Sequence, residues 1–315
     1  MIEKIQIPDT DLVVSPIGLG TVNAGTAWDG EEGFAILEEY IKMGGNLIDT
    51  ARVYSDWIPG EIGRSERVIG DWIAHRGHHD DFVLITKGGH PPHEDTSISR
   101  MTKADMEHDL ELSLKALRVD CIDVYMYHRD DTNQSVADLI EVMQEFVNQG
   151  KIRYYGCSNW SVSRMEEAMA YCKQKGYRGF VMNEMFYNIA SDTMSEPEDP
   201  TLAIMDQEMI RFHKNYPVLA VPYFSVCSGF FHKLINKGPE TVQDSPYYTP
   251  ANLELAKKIQ GIAVRHNASI SQVLLGFYFQ QGFPVCPLTG VHSTAQLKDA
   301  MGTLNVEFTP EEFAK

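Results

Sequence analysis

Four residues with acidic, phenolic or basic side chains follow short apolar runs. Asp49 ends the run NLID, and Tyr54 comes five positions later. Lys87 directly follows VLIT, and His128 directly follows IDVYMY. A phenol, with a reference pKa of about 10, is a poor acid at neutral pH unless a nearby cation stabilises its anion. Lys87 could be that cation and Asp49 could hold its ammonium group, while His128 could hydrogen-bond a substrate oxygen. The four together predict a proton-transfer site that reduces a carbonyl, with Tyr54 protonating the oxygen.

The apolar runs alternate with longer amphipathic stretches, which is typical of a parallel sheet whose strands are joined by helices. Strands are predicted at 17–20, 46–49, 83–86, 122–127, 152–156, 180–183, 218–221 and 284–286. Helices are predicted at 31–43, 62–76, 102–117, 135–149, 161–175, 201–215, 251–266 and 293–301. We therefore predict an α/β fold over residues 1–315, a single-domain (β/α)8 TIM barrel. In such a barrel the active site lies at the carboxyl ends of the strands, where the four side chains fall.

Further segments lie outside this repeat. Residues 4–14, with a turn near Pro8-Asp9-Thr10-Asp11, predict an N-terminal β-hairpin that caps the barrel floor. Residues 224–250 are too long for an ordinary connection and are rich in glycine and proline, which predicts a mobile lid among long top-face loops. A further helix is predicted at 270–281.

The composition limits the compartment and the partners. The chain carries 27 basic and 44 acidic side chains, a net charge of −17, which argues against nucleic acid or an anionic membrane as the main partner. The five cysteines form neither a CxxC pair nor a disulfide framework, as expected in a reducing compartment. Residues 1–11 are too charged for a signal peptide, and the apolar stretch 273–279 is too short for a membrane span. A cytoplasmic protein is predicted, and its oligomeric state stays open.

Seven segments follow one another along the chain: NLIDTARVY, VLITKGG, DVYMYHRD, GCSNWS, VMNEMFYN, VPYFSVCSGFF and CPLTGVHSTAQLKDA. This ordered set resembles the aldo-keto reductase superfamily over essentially the whole chain. The resemblance implies an extended NADP(H) or NAD(H) across the barrel mouth, without a Rossmann domain, and a small carbonyl or alcohol as substrate. Consistent with this, the GxG-like stretch Gly18-Leu19-Gly20 has no third glycine at Asn23 and lies in the first predicted strand.

The resemblance also implies cofactor contacts. Ser158, Asn159 and residue 184 would hold the nicotinamide amide, and Tyr223 would stack on the ring. Gly229 could present a backbone N–H group to the pyrophosphate, as could the start of the last helix. The full predicted cofactor set is Thr21, Asp49, Ser158, Asn159, Glu184, Tyr223, Phe224, Ser225, Gly229, Gly290, His292 and Gln296.

Three features depart from the family pattern. Glu184 stands where a glutamine is usual, so a neutral amide is replaced by an acceptor that is negative unless it is protonated or paired. Residues 289–292 lack the arginine or lysine that often meets an adenosine 2′-phosphate, and Ala300 replaces a common asparagine, so the choice between NADPH and NADH stays open. Phe224 and Ser225 replace a common Ser-Pro pair, which leaves the pyrophosphate contacts open.

The leading hypothesis is an NAD(P)H-dependent oxidoreductase that interconverts an aldehyde or ketone and its alcohol. A second is a cofactor-binding regulatory subunit, because some superfamily members associate with channels; the lack of a long N-terminal extension speaks against it. A third is a metal-dependent barrel hydrolase or isomerase that uses His128 with His90 and His93. The segment GGHPPH offers no third ligand in pattern, so no metal is predicted.

Overall fold

The computed structural model describes residues 3–197 and 199–314. The strands are β1 (Ile5–Gln6), β2 (Val13–Val14), β3 (Gly18–Gly20), β4 (Leu47–Asp49), β5 (Val83–Gly88), β6 (Ile122–Tyr127), β7 (Ile152–Ser158), β8 (Phe180–Phe186), β9 (Leu219–Tyr223) and β10 (Leu288–Gly290). The α-helices are α1 (Gly30–Lys42), α2 (Arg64–Arg76), α3 (Lys103–Leu117), α4 (Val136–Asn148), α5 (Val162–Lys175), α6 (Gln207–Asn215), α7 (Phe230–Lys237), α8 (Pro250–His266), α9 (Ile270–Gly276), α10 (Thr294–Gly302) and α11 (Pro310–Phe313). Within the described residues, no helix combines the length and the apolar character that a membrane span requires.

Strands β3 to β10 form a parallel sheet in the order β10-β3-β4-β5-β6-β7-β8-β9. The sheet curls into a nearly closed barrel, and an isolated bridge links Ala220 of the edge strand β9 to Val285, in the segment just before the other edge strand, β10. Helices connect the strands, so the predicted (β/α)8 TIM barrel is confirmed. Because the strands are parallel, all their carboxyl ends meet at one rim.

The N-terminal hairpin is also confirmed, since β1 pairs with β2 in antiparallel fashion. Ile7, Leu12 and Val14 are buried and belong to the same apolar cluster as Leu47 and Val83, which begin β4 and β5. The hairpin therefore covers the amino-terminal end of the barrel, opposite the rim that carries the polar residues.

The eighth barrel strand lies later in the chain than the sequence predicts. The strand that pairs with β3 is β10, at Leu288–Gly290, and not 284–286. Residues 284–286 contact β9 instead, where the Cys286 N–H donates to the Ala220 carbonyl at 2.9 Å. Pro287 separates the two segments, and because it has no N–H it interrupts the ladder. The apolar run PVC thus precedes the strand.

The helix predicted at 201–215 begins six residues later than predicted. Helix α6 begins at Gln207, after Asp206, whose carboxylate accepts hydrogen bonds from the N–H groups of Glu208 and Met209. Such a side-chain cap fixes the start of a helix. Ile204 lies before it in an isolated bridge to Phe186 of β8. The helix predicted at 270–281 is confirmed as α9, which continues as a 3-10 turn over Phe277–Gln280.

The segment 224–250, which the sequence predicts to be a mobile lid, contains a packed helix. Helix α7 lies between two 3-10 turns, Cys227–Gly229 and Pro239–Thr241. Phe230 and Phe231 are 2% and 0% exposed, so the start of α7 is anchored in the core. The two phenylalanines explain why this glycine- and proline-containing stretch is ordered around a helix.

Candidate active site

The predicted lysine lies at the centre of a buried polar cluster. Lys87, in β5, is fully buried, and its Nζ donates to Oδ1 of Asp49 at 2.7 Å and to the Thr50 carbonyl at 3.0 Å. The same Nζ donates to the Tyr54 hydroxyl at 3.1 Å. Asp49 ends β4, the strand next to β5, and Tyr54 lies in the turn that follows β4. Neighbouring parallel strands thus bring a carboxylate, an ammonium group and a phenol into one chain of contacts.

His128 completes the group from the next strand, β6. Its ring lies edge-on to the Tyr54 ring, with centroids 5.9 Å apart, and its buried Nδ1 has no hydrogen-bond partner within the described residues. Burial, together with the nearby His90 and Arg129, lowers the pKa of His128 well below its usual value. A neutral imidazole keeps one N–H for donation, so His128 can donate to an oxygen bound beside Tyr54.

A second carboxyl contacts the same ammonium group. Glu184 lies in β8 and is 2% exposed, and its Oε2 is 3.3 Å from Nζ of Lys87 without making a hydrogen bond to any described residue. Burial and the charge of Asp49 raise the pKa of Glu184 to about 8. Since Asp49 makes the shorter contact with Lys87, we assign the negative charge to Asp49 and the proton to Glu184 near neutral pH.

The effect on Tyr54 differs from the sequence-based expectation. Burial raises the pKa of Tyr54, Lys87 lowers it, and the two carboxyls, Asp49 and Glu184, raise it again. The net pKa lies above the usual value for a tyrosine, so the expected lowering by Lys87 is outweighed. Tyr54 therefore holds its proton at neutral pH, and Lys87 can stabilise the phenolate only as the proton leaves.

These groups open onto a long cleft of about 1060 Å³ at the carboxyl rim. Most of the predicted residues line it: Asp49, Tyr54, His128, Ser158, Asn159, Glu184, Tyr223, Phe224, Ser225, Gly229, Gly290, His292 and Gln296. Lys87 does not line this cleft but contacts Asp49 and Tyr54, which do. Thr21 is the exception among the predicted cofactor residues. It is fully buried, and its hydroxyl donates to the Asp49 carbonyl at 2.8 Å, so it braces the end of β4.

The residues predicted to hold the nicotinamide amide are joined by hydrogen bonds. The Tyr223 hydroxyl donates to Oδ1 of Asn159 at 2.6 Å, and Nδ2 of Asn159 donates to Oγ of Ser158 at 2.9 Å. Nδ2 also lies 3.3 Å from the His128 carbonyl. Asn159 has a left-handed backbone with φ of 63°, which asparagine tolerates better than most residues. Its amide is therefore engaged within the protein, whereas Ser158 keeps a hydroxyl hydrogen for a ligand.

Sequence reasoning missed a cation in the cleft. Lys233, in α7, lines the cleft with His232, and no ion pair of Lys233 occurs within the described ranges. A Cβ added at Gly229 would lie 3.9 Å from Cε of Lys233, so the lysine lies beside that turn. The sequence pattern for a phosphate-binding cation lies in residues 289–292, whereas α7 brings Lys233 to the cleft from another part of the chain.

His90, His93 and His128, the three histidines of the metal hypothesis, lie in a row, in which the His90 ring contacts the rings of the other two. The centroids of His90 and His128 are 4.7 Å apart, and those of His90 and His93 are 5.3 Å apart. In residues 3–197 and 199–314, the one group of three whose ligand atoms all lie within 4.8 Å of one another is His78, Asp80 and Asp81, which is exposed. The histidine row therefore gives the hydrolase hypothesis no ligand set.

Comparison with known proteins gives the family of the chain. The model of the aldo/keto reductase family matches residues 16–315. The chain is 27% identical to an aryl-alcohol dehydrogenase of Pestalotiopsis microspora, over 98% of the chain and 79% of that protein. It is 28% identical to norsolorinic acid reductase B of Aspergillus parasiticus, over 97% of the chain and 80% of that protein. It is 26% identical to an aryl-alcohol dehydrogenase [NADP(+)] of Phanerodontia chrysosporium, over 97% of the chain and 82% of that protein. With a barrel, a rim cluster and a family match that runs nearly from end to end, the chain belongs to the aldo/keto reductase family, and it is an oxidoreductase.

Proposed function

We propose that the protein is an NAD(P)H-dependent oxidoreductase that interconverts an aldehyde or ketone and its alcohol, with Tyr54 as the general acid. The contact that carries this proposal is the 3.1 Å hydrogen bond between Nζ of Lys87 and the Tyr54 hydroxyl, at the wall of a large cleft. A buried ammonium group beside a phenol stabilises the negative charge that remains when the phenol gives up its proton.

The volume and the lining of the cleft support a nicotinamide dinucleotide as its ligand. The lining includes both Tyr54 and the start of α10, which an extended ligand can span. Gly229 has a φ of 75° and Gly290 is exposed, so both can bring backbone close to a ligand. Lys233 offers a positive charge to a phosphate. Ser158 and Tyr223 would hold the nicotinamide end, with Asn159 fixing both side chains through its hydrogen bonds, and the nicotinamide when bound supplies the hydride.

The side chains then divide the proton chemistry among them. Tyr54 donates its proton to the carbonyl oxygen of the substrate, and Lys87 stabilises the phenolate that is left. Asp49 keeps Lys87 charged and oriented through its 2.7 Å contact. Neutral His128 can donate a second hydrogen bond to the same oxygen. Tyr54 regains its proton from solvent before the next turnover.

For the substrate we favour an aryl aldehyde and its alcohol. Aromatic rings run from Tyr54 through His128, His90 and His93 to Trp57, with centroid separations of 5.9, 4.7, 5.3 and 6.1 Å. Trp57 is 50% exposed at the outer end. Such a row offers ring faces and edges to a planar substrate. Two of the similar proteins named above are aryl-alcohol dehydrogenases.

A carbonyl panel tests the proposal. We expect the purified protein to oxidise NADPH or NADH with aromatic aldehydes, faster than with aliphatic aldehydes or sugars of similar size. Tyr54→Phe should lower kcat by roughly 100-fold or more, because the acid is lost. The control is Tyr171→Phe, because the Tyr171 hydroxyl contacts Glu141 on the surface, away from the cleft. Equal turnover by wild type and Tyr54→Phe would contradict the role of Tyr54, and cofactor binding without any turnover would favour a regulatory subunit.

A further inference from the structure

Glu184 is a buried carboxyl that the proton transfer described above does not use. It lines the cleft, is 2% exposed, and its Oε2 accepts no hydrogen bond from any described residue. Buried polar atoms nearly always have a hydrogen-bond partner, whereas this one has a 3.3 Å contact with Nζ of Lys87, an ammonium group that Asp49 holds more closely at 2.7 Å, and that arrangement calls for an explanation. The explanation must also account for the glutamate itself, because an amide side chain of the same size would satisfy the position without a titratable proton.

The position of Glu184 relative to the reacting atoms follows from Lys87. Nζ of Lys87 is 3.1 Å from the Tyr54 hydroxyl and 3.3 Å from Oε2 of Glu184. A carbonyl protonated by Tyr54 must touch that hydroxyl, and the nicotinamide carbon that delivers hydride must touch the carbonyl carbon. Tyr54, Glu184 and Tyr223 line the same cleft, so we place a nicotinamide ring in productive position beside the Glu184 carboxyl.

The charges around Glu184 leave its ionised form poorly compensated. Asp49 faces it from β4, Lys87 from β5 and Tyr54 from the turn after β4, and His128 directly follows β6. From the adjacent strands, β9 contributes Tyr223 and β7 contributes the uncharged Ser158. Lys87 is the cation in contact, and it is shared with Asp49 at 2.7 Å. One ammonium group between two buried carboxyls favours a proton on one of them.

The two oxidation states of the cofactor differ at this point. An oxidised nicotinamide ring carries a positive charge and a reduced ring carries none. In a buried site a positive charge a few ångströms away stabilises a carboxylate strongly. The protonated carboxyl, in contrast, resembles the glutamine side chain and suits an uncharged ring.

We propose that Glu184 couples its own protonation to the oxidation state of the nicotinamide: it stays protonated beside the reduced ring and releases its proton to solvent when the oxidised ring binds. This inference rests on the proposed function, because it needs a nicotinamide in the cleft. The pKa of Glu184, raised to about 8 by burial and by Asp49, leaves the proton in place at neutral pH until a positive charge arrives. The affinity for oxidised cofactor then rises with pH relative to the affinity for reduced cofactor.

Equilibrium binding tests the coupling without turnover. The dissociation constants of NADP+ and NADPH, or of NAD+ and NADH if that pair binds more tightly, are measured by fluorescence titration between about pH 6 and pH 9. For wild type, the ratio of the oxidised to the reduced constant should fall about tenfold or more over this range. For Glu184→Gln the ratio should stay constant within about twofold, because no proton remains to be released. Asp299→Asn, which removes another carboxyl from the same cleft, should keep the wild-type dependence.

Proton counting gives a second readout that does not depend on the variant. Calorimetry near pH 7 in two buffers of different ionisation enthalpy should show wild type releasing a substantial fraction of one proton on binding oxidised cofactor, and almost none on binding reduced cofactor. Absence of proton release by wild type would overturn the proposal, as would an equal pH dependence of wild type and Glu184→Gln. In both cases the cofactor still binds, so the proposed function survives. Failure to bind either oxidation state would overturn the proposed function and this inference together.

Discussion

At the scale of single residues, the site depends on one buried ammonium group with three acidic or phenolic neighbours. Lys87 contacts Asp49, Tyr54 and Glu184. The first two contacts could be expected from the sequence, because Asp49 and Lys87 end neighbouring runs and Tyr54 follows closely. The contact between Lys87 and Glu184 could not be expected from the sequence, since β5 and β8 are not neighbouring strands and meet only across the barrel interior. The direction of the Tyr54 pKa shift depends on the burial of Tyr54, which no local sequence pattern reveals.

Replacing Lys87 by methionine should destabilise the protein in a pH-dependent manner. Asp49 and Glu184 would then be buried without a cation, a loss of about 3–5 kcal/mol where they ionise. Burial would raise their pKa values in the folded variant above the unfolded values, so stability is retained at low pH and lost as pH rises. Urea unfolding of wild type and Lys87→Met at about pH 5 and pH 8 measures this difference. A constant difference across pH would contradict the proposed ion cluster.

At the scale of elements, the spacing of apolar residues predicts most of the strands and helices that carry the site. It does not predict the exact strand ends or the helix in the segment that follows β9. The rim residues Lys87 and Glu184 lie inside β5 and β8, because pairing extends past the apolar runs. The eighth strand lies at 288–290 and not at 284–286, because Pro287 interrupts the hydrogen-bond ladder between them. Helix α7 escaped prediction because its eight residues follow a glycine-containing turn, and only tertiary packing of Phe230 and Phe231 shows that it is ordered.

Helix α7 carries a prediction about cofactor binding. Lys233→Met should weaken binding of NADPH about tenfold, because a charge-assisted contact to a phosphate is lost, and should reduce the salt dependence of binding. Lys237→Met, at the end of the same helix and outside the cleft lining, is the matched control and should bind as wild type does. Fluorescence titration at two salt concentrations makes the comparison. Equal losses in both variants would show that the helix, and not Lys233, is responsible.

At the scale of the whole molecule, the N-terminal hairpin and the proposed site lie at opposite ends of the barrel. The hairpin β1–β2 closes the amino-terminal end with Ile7, Leu12 and Val14, whereas every residue of the proton-transfer cluster lies at the carboxyl rim. The sequence predicts the hairpin at the barrel floor and the site at the opposite rim, since the order of apolar runs defines a barrel and a barrel has one functional rim. The net charge of −17 makes a local cation such as Lys233 more important for an anionic cofactor.

Ile7→Ala separates the two ends experimentally. Ile7 is fully buried in the hairpin cluster, so its truncation should cost about 2–5 kcal/mol of unfolding free energy. The dissociation constant of the cofactor should stay within about twofold of wild type at temperatures where the variant is folded, because the change lies far from the rim. Thermal unfolding and fluorescence titration measure the two quantities. A large loss of affinity in the folded variant would contradict the division.

The central claim is that Lys87 acts through Tyr54, and a double-mutant cycle tests it most directly. Single-turnover rates of carbonyl reduction are measured at saturating cofactor for wild type, Tyr54→Phe, Lys87→Met and the double variant. We expect each single variant to lose roughly 100-fold or more, and the double variant to lose no more than Tyr54→Phe alone, because a lysine that stabilises a phenolate has no role once the phenol is gone. Losses that multiply in the double variant would contradict the account.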